Sequence, residues 1–142
     1  MFNVLVPVDG SENSSRAVAF LMKKRPLYKE PVEIHLLNVQ VPIASGNVRQ
    51  FFSHEQINDY YRDEGMAALK AAREHLDAAG VPHSHHIGVG DVGETIAKYA
   101  REKQCQQIVM GTRGLGSVSG MLLGSVVTKV LHLTDVPVQL VK

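Results

Sequence analysis

The chain has 142 residues, of which 44% are hydrophobic, and its 15 Lys and Arg against 14 Asp and Glu leave a formal net charge of +1. This length and composition predict a single globular domain over residues 1–142. The near-zero net charge argues against a nucleic-acid binder. No apolar run reaches the roughly 18 residues that a membrane span needs. The single cysteine, Cys105, excludes an intrachain disulfide, and with no signal-peptide pattern at the start it favours a cytoplasmic protein.

The first half of the chain predicts two buried strands around a helix. Short apolar runs at Phe2–Val8 and Val32–Val39 indicate strands that are buried on both faces. Ser11 begins a helix between them, which ends near Pro26. Residues 40–52 carry neither pattern and predict a loop of the length that functional lids often have.

The second half of the chain repeats the alternation of strands and helices. Ser53 and Gln56 match a capping box, which predicts the longest helix from there to Gly80. Asp91 and Glu94 match a second capping pattern, at the start of a helix that runs through Tyr99 and Ala100. The remaining strands are predicted at His83–Val89, Gln107–Met110 and Val136–Val141. Five strands alternating with four helices indicate an α/β fold with a parallel sheet and helices on both faces.

The glycine- and serine-rich stretch Gly111–Ser125 is the strongest candidate for a binding site. Glycines let successive backbone N–H groups converge on an anion, and Gly124 and Ser125 fall at the start of a helix through His132, where a phosphate is favoured. Arg113 is the only cation within this stretch. The alternative is a surface loop that needs glycine for tight turns, but we favour phosphate binding.

Two familiar nucleotide motifs do not apply. The chain contains no Gly-Lys pair, so it has no Walker A sequence. A GxGxxG pattern occurs at Gly88–Gly93, but it follows the third strand and no acidic residue lies about 20 positions further on. We therefore interpret it as a tight strand-to-helix turn capped by Asp91 rather than a dinucleotide site.

The remaining polar residues suggest no catalytic or metal site. Asp9 ends the first strand, where it could accept hydrogen bonds from a ligand or cap the helix at Ser11, and both interpretations stay open. His83, His85 and His86 lack the further ligands that a zinc site needs, so we expect exposed strand histidines. The chain has no nucleophile-elbow sequence, and we expect no catalytic residues.

Three segments of the sequence resemble the universal stress protein family, specifically its ATP-binding branch. The start, VLVPVDGSENSSRAV, and the ending, DVPVQLVK, are similar to the family's first strand and helix and to its final strand. The most specific element is the family pattern G-x2-G-x9-G-[ST], present here as Gly111, Gly114, Gly124 and Ser125. The resemblance covers essentially the whole chain and implies a Rossmann-like, flavodoxin-type open sheet with strand order 3-2-1-4-5.

The resemblance also implies a bound ATP, with or without Mg²⁺, and the residues around it. The adenine side would be formed by Pro7, Asp9 and Val39. The ribose and phosphate side would be formed by Met110, Gly111 and Arg113. The phosphate cradle would be formed by Gly114, Gly124, Ser125 and Val126.

These features favour a nucleotide-dependent regulatory protein of the stress response over an enzyme. The alternative is a slow ATPase or phosphotransferase at the same site, but the sequence offers no lysine within the cradle, no catalytic base and no acidic pair for Mg²⁺. The expected partners are an adenine nucleotide, a regulatory protein and a second copy of the chain. Because the implied order places residues 136–141 at a sheet edge, we expect a homodimer through this strand.

Overall fold

The computed structural model of the chain describes residues 1–43, 46–112 and 123–142. Within them, five parallel strands form one sheet in the order β3-β2-β1-β4-β5, as the resemblance implied. The strands are β1 (Phe2–Pro7), β2 (Val32–Gln40), β3 (His83–Val89), β4 (Gln107–Gly111) and β5 (Val138–Val141).

Helices cover both faces of the sheet, which confirms the predicted α/β architecture. They are α1 (Glu12–Lys24), followed by a 3₁₀ turn at Arg25–Leu27, then α2 (Gly46–Gln50), α3 (His54–Ala78), α4 (Val92–Glu102) and α5 (Ser125–Leu133). No helix in the described part of the chain is both long and apolar enough to cross a membrane.

The apolar run of β1 is explained by burial on both faces of the sheet. Val4 and Val6 are fully buried in a cluster that includes residues of α1 and α3. Leu5, which points to the opposite face, is fully buried in a second cluster with residues of α4 and α5. Side chains of one strand alternate between two faces, so a strand covered on both sides is apolar throughout.

Two of the predicted helix starts are confirmed in detail. Ser11 is the N-cap of α1, and its hydroxyl accepts a hydrogen bond from the backbone N–H of Ser14 at 3.4 Å. At the start of α3, Gln56 N donates to Ser53 Oγ at 3.1 Å while Ser53 N donates to Gln56 Oε1 at 2.8 Å. This reciprocal pair is the predicted capping box.

Other predicted boundaries were wrong. Residues 40–52 contain the short helix α2, where we expected only a loop. The last strand begins at Val138 rather than Val136, because Pro137 has no N–H to donate, although its carbonyl accepts from Ile108 N at 2.9 Å. Asp91 occupies the N-cap position of α4, but its side chain makes no capping hydrogen bond.

Candidate ligand site at the carboxyl ends of the strands

The carboxyl ends of β1, β2 and β4 lie side by side at the centre of the sheet. Pro7 pairs with Leu37 and Leu5 with Ile108, and continuing both registers places Asp9 between Val39 and Thr112. The order of the strands reverses at β1, and such a switch point is where open α/β sheets bind ligands.

The turn after β1 is fixed by strand β2. Val8 N donates to Leu37 O at 2.8 Å, and the buried Asn38 side chain donates through Nδ2 to Val8 O at 2.8 Å. Gln40 in turn donates to Asn38 Oδ1 at 2.7 Å, which orients the amide. Asn38 was not among the predicted site residues, although a polar residue within the apolar run of β2 signals a buried hydrogen bond.

Asp9 braces the beginning of α1. Its Oδ1 accepts from Ser11 N at 2.9 Å, and the Ser14 hydroxyl lies 3.1 Å from the same oxygen and 2.9 Å from Ser11 O, so its single proton serves one of them at a time. Pro7 and Asp9 also line two narrow crevices, of about 20 and 10 Å³, on the β4 and β2 sides of β1. Of the two predicted roles of Asp9, the contact with the start of α1 is therefore observed. Its carboxylate also lies at the edge of the candidate site.

The end of β4 packs tightly against α1. Met110 is buried, and Gly111 lies so close to α1 that an added Cβ would come within 2.8 Å of Asn13 O. The absence of a side chain at Gly111 is thus required by the packing of this helix, whereas the sequence pattern predicted a glycine that lets a phosphate approach or allows a tight turn. Val39, at the end of β2, is half-buried on the wall of the smaller crevice.

The first turn of α5 points its backbone donors toward the same edge. Gly124 is its buried N-cap, no side chain of the described residues caps this end, and the first turn contains no acidic residue. Ser125 is exposed and Val126 half-buried. An uncapped helix N-terminus attracts anions through its N–H groups and dipole. The predicted site residues Arg113 and Gly114 lie outside the described residues.

A cavity of about 420 Å³ opens between the N-terminal ends of α4 and α5, large enough for part of a small-molecule ligand. Two of the predicted residues, Ser125 and Val126, line it. Its wall also includes Lys129 and Asp91, which sequence analysis did not assign to the site. The signal was the spacing of Ser125 and Lys129, since residues four apart share one helix face.

Lys129 is held by two carboxylates at the rim of this cavity. Its Nζ lies 2.7 and 2.9 Å from the two Asp91 carboxylate oxygens and 3.5 Å from Glu94 Oε1. The hydrogen bond with Asp91, reinforced by the charge of Glu94, raises the pKa of Lys129 above its ordinary value. The ammonium is therefore charged at neutral pH, and both carboxylates engage it in this structure.

The glycines of the GxGxxG pattern are explained by packing around α4. An added Cβ on Gly88 would come within 2.8 Å of Thr95 Cγ2. Gly90 has a φ of +153°, a backbone angle that residues with a side chain rarely adopt. Gly93 has the Lys129 side chain 3.0 Å from its Cβ position. These contacts agree with a tight strand-to-helix turn, in which Asp91 occupies the predicted N-cap position without a side-chain capping bond.

The histidines of β3 do not form a cluster. His86 Nε2 lies 3.2 Å from His35 Nδ1 on β2, whereas His83 Nδ1 bonds Val81 O at 2.9 Å. Of the three predicted exposed histidines only His85 is exposed. Among the described residues, no three His, Cys, Asp or Glu side chains are grouped to hold a metal ion. Burial raises the pKa of the Cys105 thiol to about 11, so this cysteine stays protonated.

The strand order defines a Rossmann-like α/β protein, and the candidate site lies at its topological switch point. The model of the universal stress protein family matches residues 1–142. The chain therefore belongs to the universal stress protein family.

Individual relatives agree with this assignment. Universal stress protein YxiE of Bacillus subtilis (strain 168) is 31% identical over 148 residues, which cover 100% of both chains. The solved structure of MJ0577, a protein of Methanocaldococcus jannaschii, matches with a TM-score of 0.83 and 26% identity over 99% of this chain and 95% of its own. A universal stress family protein of Arabidopsis thaliana, solved with AMP bound, has a TM-score of 0.67 and 23% identity over 100% of this chain and 92% of its own.

Proposed function

We propose that this chain is an ATP-binding regulatory protein of the stress response, folded as one domain over residues 1–142. The observation that carries the proposal is the uncapped N-terminus of α5, at Gly124 and Ser125, beside a cavity of about 420 Å³. Because free N–H groups and the helix dipole favour a phosphate, the triphosphate would lie at this helix. The AMP bound to the Arabidopsis relative supports an adenine nucleotide as the ligand.

The proposed site uses ten residues around the switch point. Adenine would lie against the ends of β1 and β2, the ribose near the end of β4, and the phosphates between the glycine-rich stretch and α5. The residues are Pro7, Asp9, Val39, Met110, Gly111, Arg113, Gly114, Gly124, Ser125 and Val126. Bound ATP, with or without Mg²⁺, would alter the surface that a regulatory protein contacts. The single cysteine, which is a buried free thiol, is consistent with a cytoplasmic protein.

Calorimetry with ATP on two variants tests the site. Gly124→Val should weaken binding strongly, because a branched side chain blocks the approach of phosphate to the backbone. Ser125→Ala should cost about 1–3 kcal/mol, the value of a hydrogen bond to a charged group. Thr128→Ala, one turn further along α5, is the matched control, since the Thr128 hydroxyl bonds Gly124 O within the helix at 3.0 Å. Wild-type affinity in Gly124→Val would place the ligand elsewhere.

The second candidate is an ATPase or phosphotransferase, favoured by the charged Lys129 at the rim of the cavity. Phosphoryl transfer also needs a positioned metal and nucleophile, and the carboxylates nearest the cavity, Asp91 and Glu94, are engaged by Lys129. We therefore expect phosphate release from ATP and Mg²⁺ far below the median enzyme rate of about 10 s⁻¹. A steady turnover near that rate that disappears in Ser125→Ala would favour the enzyme instead.

A further inference from the structure

The ion pair between Lys129 and Asp91 at the rim of the cavity joins α5 to the start of α4. Lys129 lies one turn after Ser125 on α5, and both residues line the cavity. Its ammonium reaches across to the Asp91 carboxylate at 2.7 and 2.9 Å rather than into the cavity. A flexible four-carbon stem allows such an ammonium to change partner without movement of the helix.

Helix α4 is shaped to let this lysine pass. Gly93, in its first turn, leaves room where an added Cβ would come within 3.0–3.1 Å of Lys129 Cβ, Cγ and Cδ. The Lys129 stem is therefore packed against the backbone of α4 beside the cavity. A side chain at position 93 would therefore push Lys129 aside, whereas with glycine there the Lys129 side chain passes α4 and remains 45% exposed.

Asp91 has a second partner within reach. It occupies the N-cap position of α4, where an aspartate normally accepts a hydrogen bond from the backbone N–H groups of the first turn. Its side chain makes no such bond here, because both of its oxygens face Lys129. If Lys129 leaves, Asp91 can turn back to cap the helix, and this bond offsets the lost ion pair.

The charges determine which ligand favours the exchange. Two carboxylates, Asp91 and Glu94, face one ammonium, so the rim repels an anion while the pair is closed. A ligand with more phosphate charge gains more from drawing Lys129 away from them. We propose that Lys129 is a specificity-determining residue, which exchanges Asp91 for the terminal phosphates of a nucleoside triphosphate and so selects it over a monophosphate. This inference rests on the proposed function.

Titration of ATP and of AMP against four proteins tests the exchange: wild type, Lys129→Met, Asp91→Asn and Lys98→Met. Lys129→Met keeps the length of the stem and should weaken ATP about tenfold, as expected for one lost charge-assisted hydrogen bond, with little change for AMP. Asp91→Asn can still cap α4 but no longer binds Lys129 as a charge, so ATP should bind more tightly, by up to about fivefold. Lys98→Met is the control, since Lys98 pairs with Glu102 within α4 at 3.9 Å.

Opposite effects of the two rim substitutions distinguish this role from a structural ion pair. A merely structural pair predicts that Lys129→Met and Asp91→Asn weaken ATP and AMP in the same proportion, and that result would overturn the inference. An unchanged ratio of the ATP and AMP affinities in Lys129→Met would also overturn it, while leaving nucleotide binding intact. If the wild-type protein binds neither nucleotide, the proposed function itself is wrong and the inference fails with it.

Discussion

At the scale of single residues, a histidine pair on neighbouring strands, His35 buried and His86 half-buried, should make the stability of the fold sensitive to acid. His35 Nδ1 and His86 Nε2 lie 3.2 Å apart, and the Ser84 hydroxyl lies within 3.0 and 3.4 Å of them. Burial lowers the pKa of His35 and of His86, and the positive charge of Lys103 acts in the same direction on both. Glu33 opposes this effect at His35, and the neighbouring His85 adds to it at His86.

We expect the stability of the protein to fall as the pH drops below about 6.5, the pKa of an unfolded histidine. Below that pH the unfolded chain binds protons that the folded pair rejects, so the free energy of unfolding decreases down to the lowered pKa values of His35 and His86. Urea unfolding at pH 7 and pH 5 measures this loss. His86→Gln should reduce this loss, because it removes one of the two imidazoles whose pKa is lowered.

The exposed His132 on α5 provides the control for this experiment. His132→Gln should lose as much stability between pH 7 and pH 5 as the wild type does. If His86→Gln behaves in the same way as His132→Gln, then the pair does not carry the effect.

At the scale of elements, the contact between α1 and the end of β4 links the core to the candidate site. Gly111 meets the backbone of Asn13 in the first turn of α1, and the same turn supplies the partners of Asp9. A shift of α1 would therefore move the Asp9 carboxylate as well. The contact between Gly111 and Asn13 therefore couples the position of the β4 end to that of Asp9 at the β1 end.

Gly111→Ala should destabilise the protein by about 1–3 kcal/mol, the range for inserting a methyl group into a well-packed contact. The new Cβ would lie 2.8 Å from Asn13 O, so the first turn of α1 must move. Urea unfolding measures the change in free energy. Gly46→Ala on α2 is the matched control, because nothing lies within 4 Å of its Cβ position. Equal stability of the two variants would show that α1 tolerates the added methyl group.

At the scale of the whole molecule, the two edges of the sheet differ in character. β5 forms one edge and is apolar at three of its four positions, whereas β3 at the other edge carries three histidines. On α5, the helix that precedes β5 in the chain, Leu131 and Leu133 are 43% and 49% exposed. Unpaired backbone groups on an apolar edge favour pairing with another strand. We propose that two copies of the chain pair antiparallel through residues 136–141 about a two-fold axis.

Light scattering tests this dimer. The wild type should have about twice the mass of one 15.6 kDa chain, and Val138→Lys should shift it toward the monomer, since a lysine on an edge strand opposes strand pairing. Val89→Lys is the control, because Val89 lies on the opposite edge strand, where it is exposed, whereas Val138 is half-buried. A wild-type mass of one chain, or a folded Val138→Lys that remains fully dimeric, would contradict the proposal.

The sequence by itself determined the alternation of strands and helices, because these signals are local. An apolar run such as Phe2–Val8 records burial on both faces, and the Ser53 and Gln56 capping box is complete within four residues. The same local signals located the start of α5 at Gly124 and Ser125. The strand order was implied only by the resemblance, since alternation alone does not fix which strands are neighbours.

Only the tertiary structure decided how residues far apart in the chain meet. The Asp91 side chain makes no capping hydrogen bond, and its carboxylate instead binds Lys129, 38 positions away. Gly111 is needed because α1 crosses the end of β4, and Asn38 is polar because Val8 O lies beside it. None of these partners is close in sequence, and a hydrogen bond or a steric contact depends on distance in space. The sequence therefore showed what kind of contact each of these residues can make. The packing of helices on the sheet decided which residue it makes that contact with.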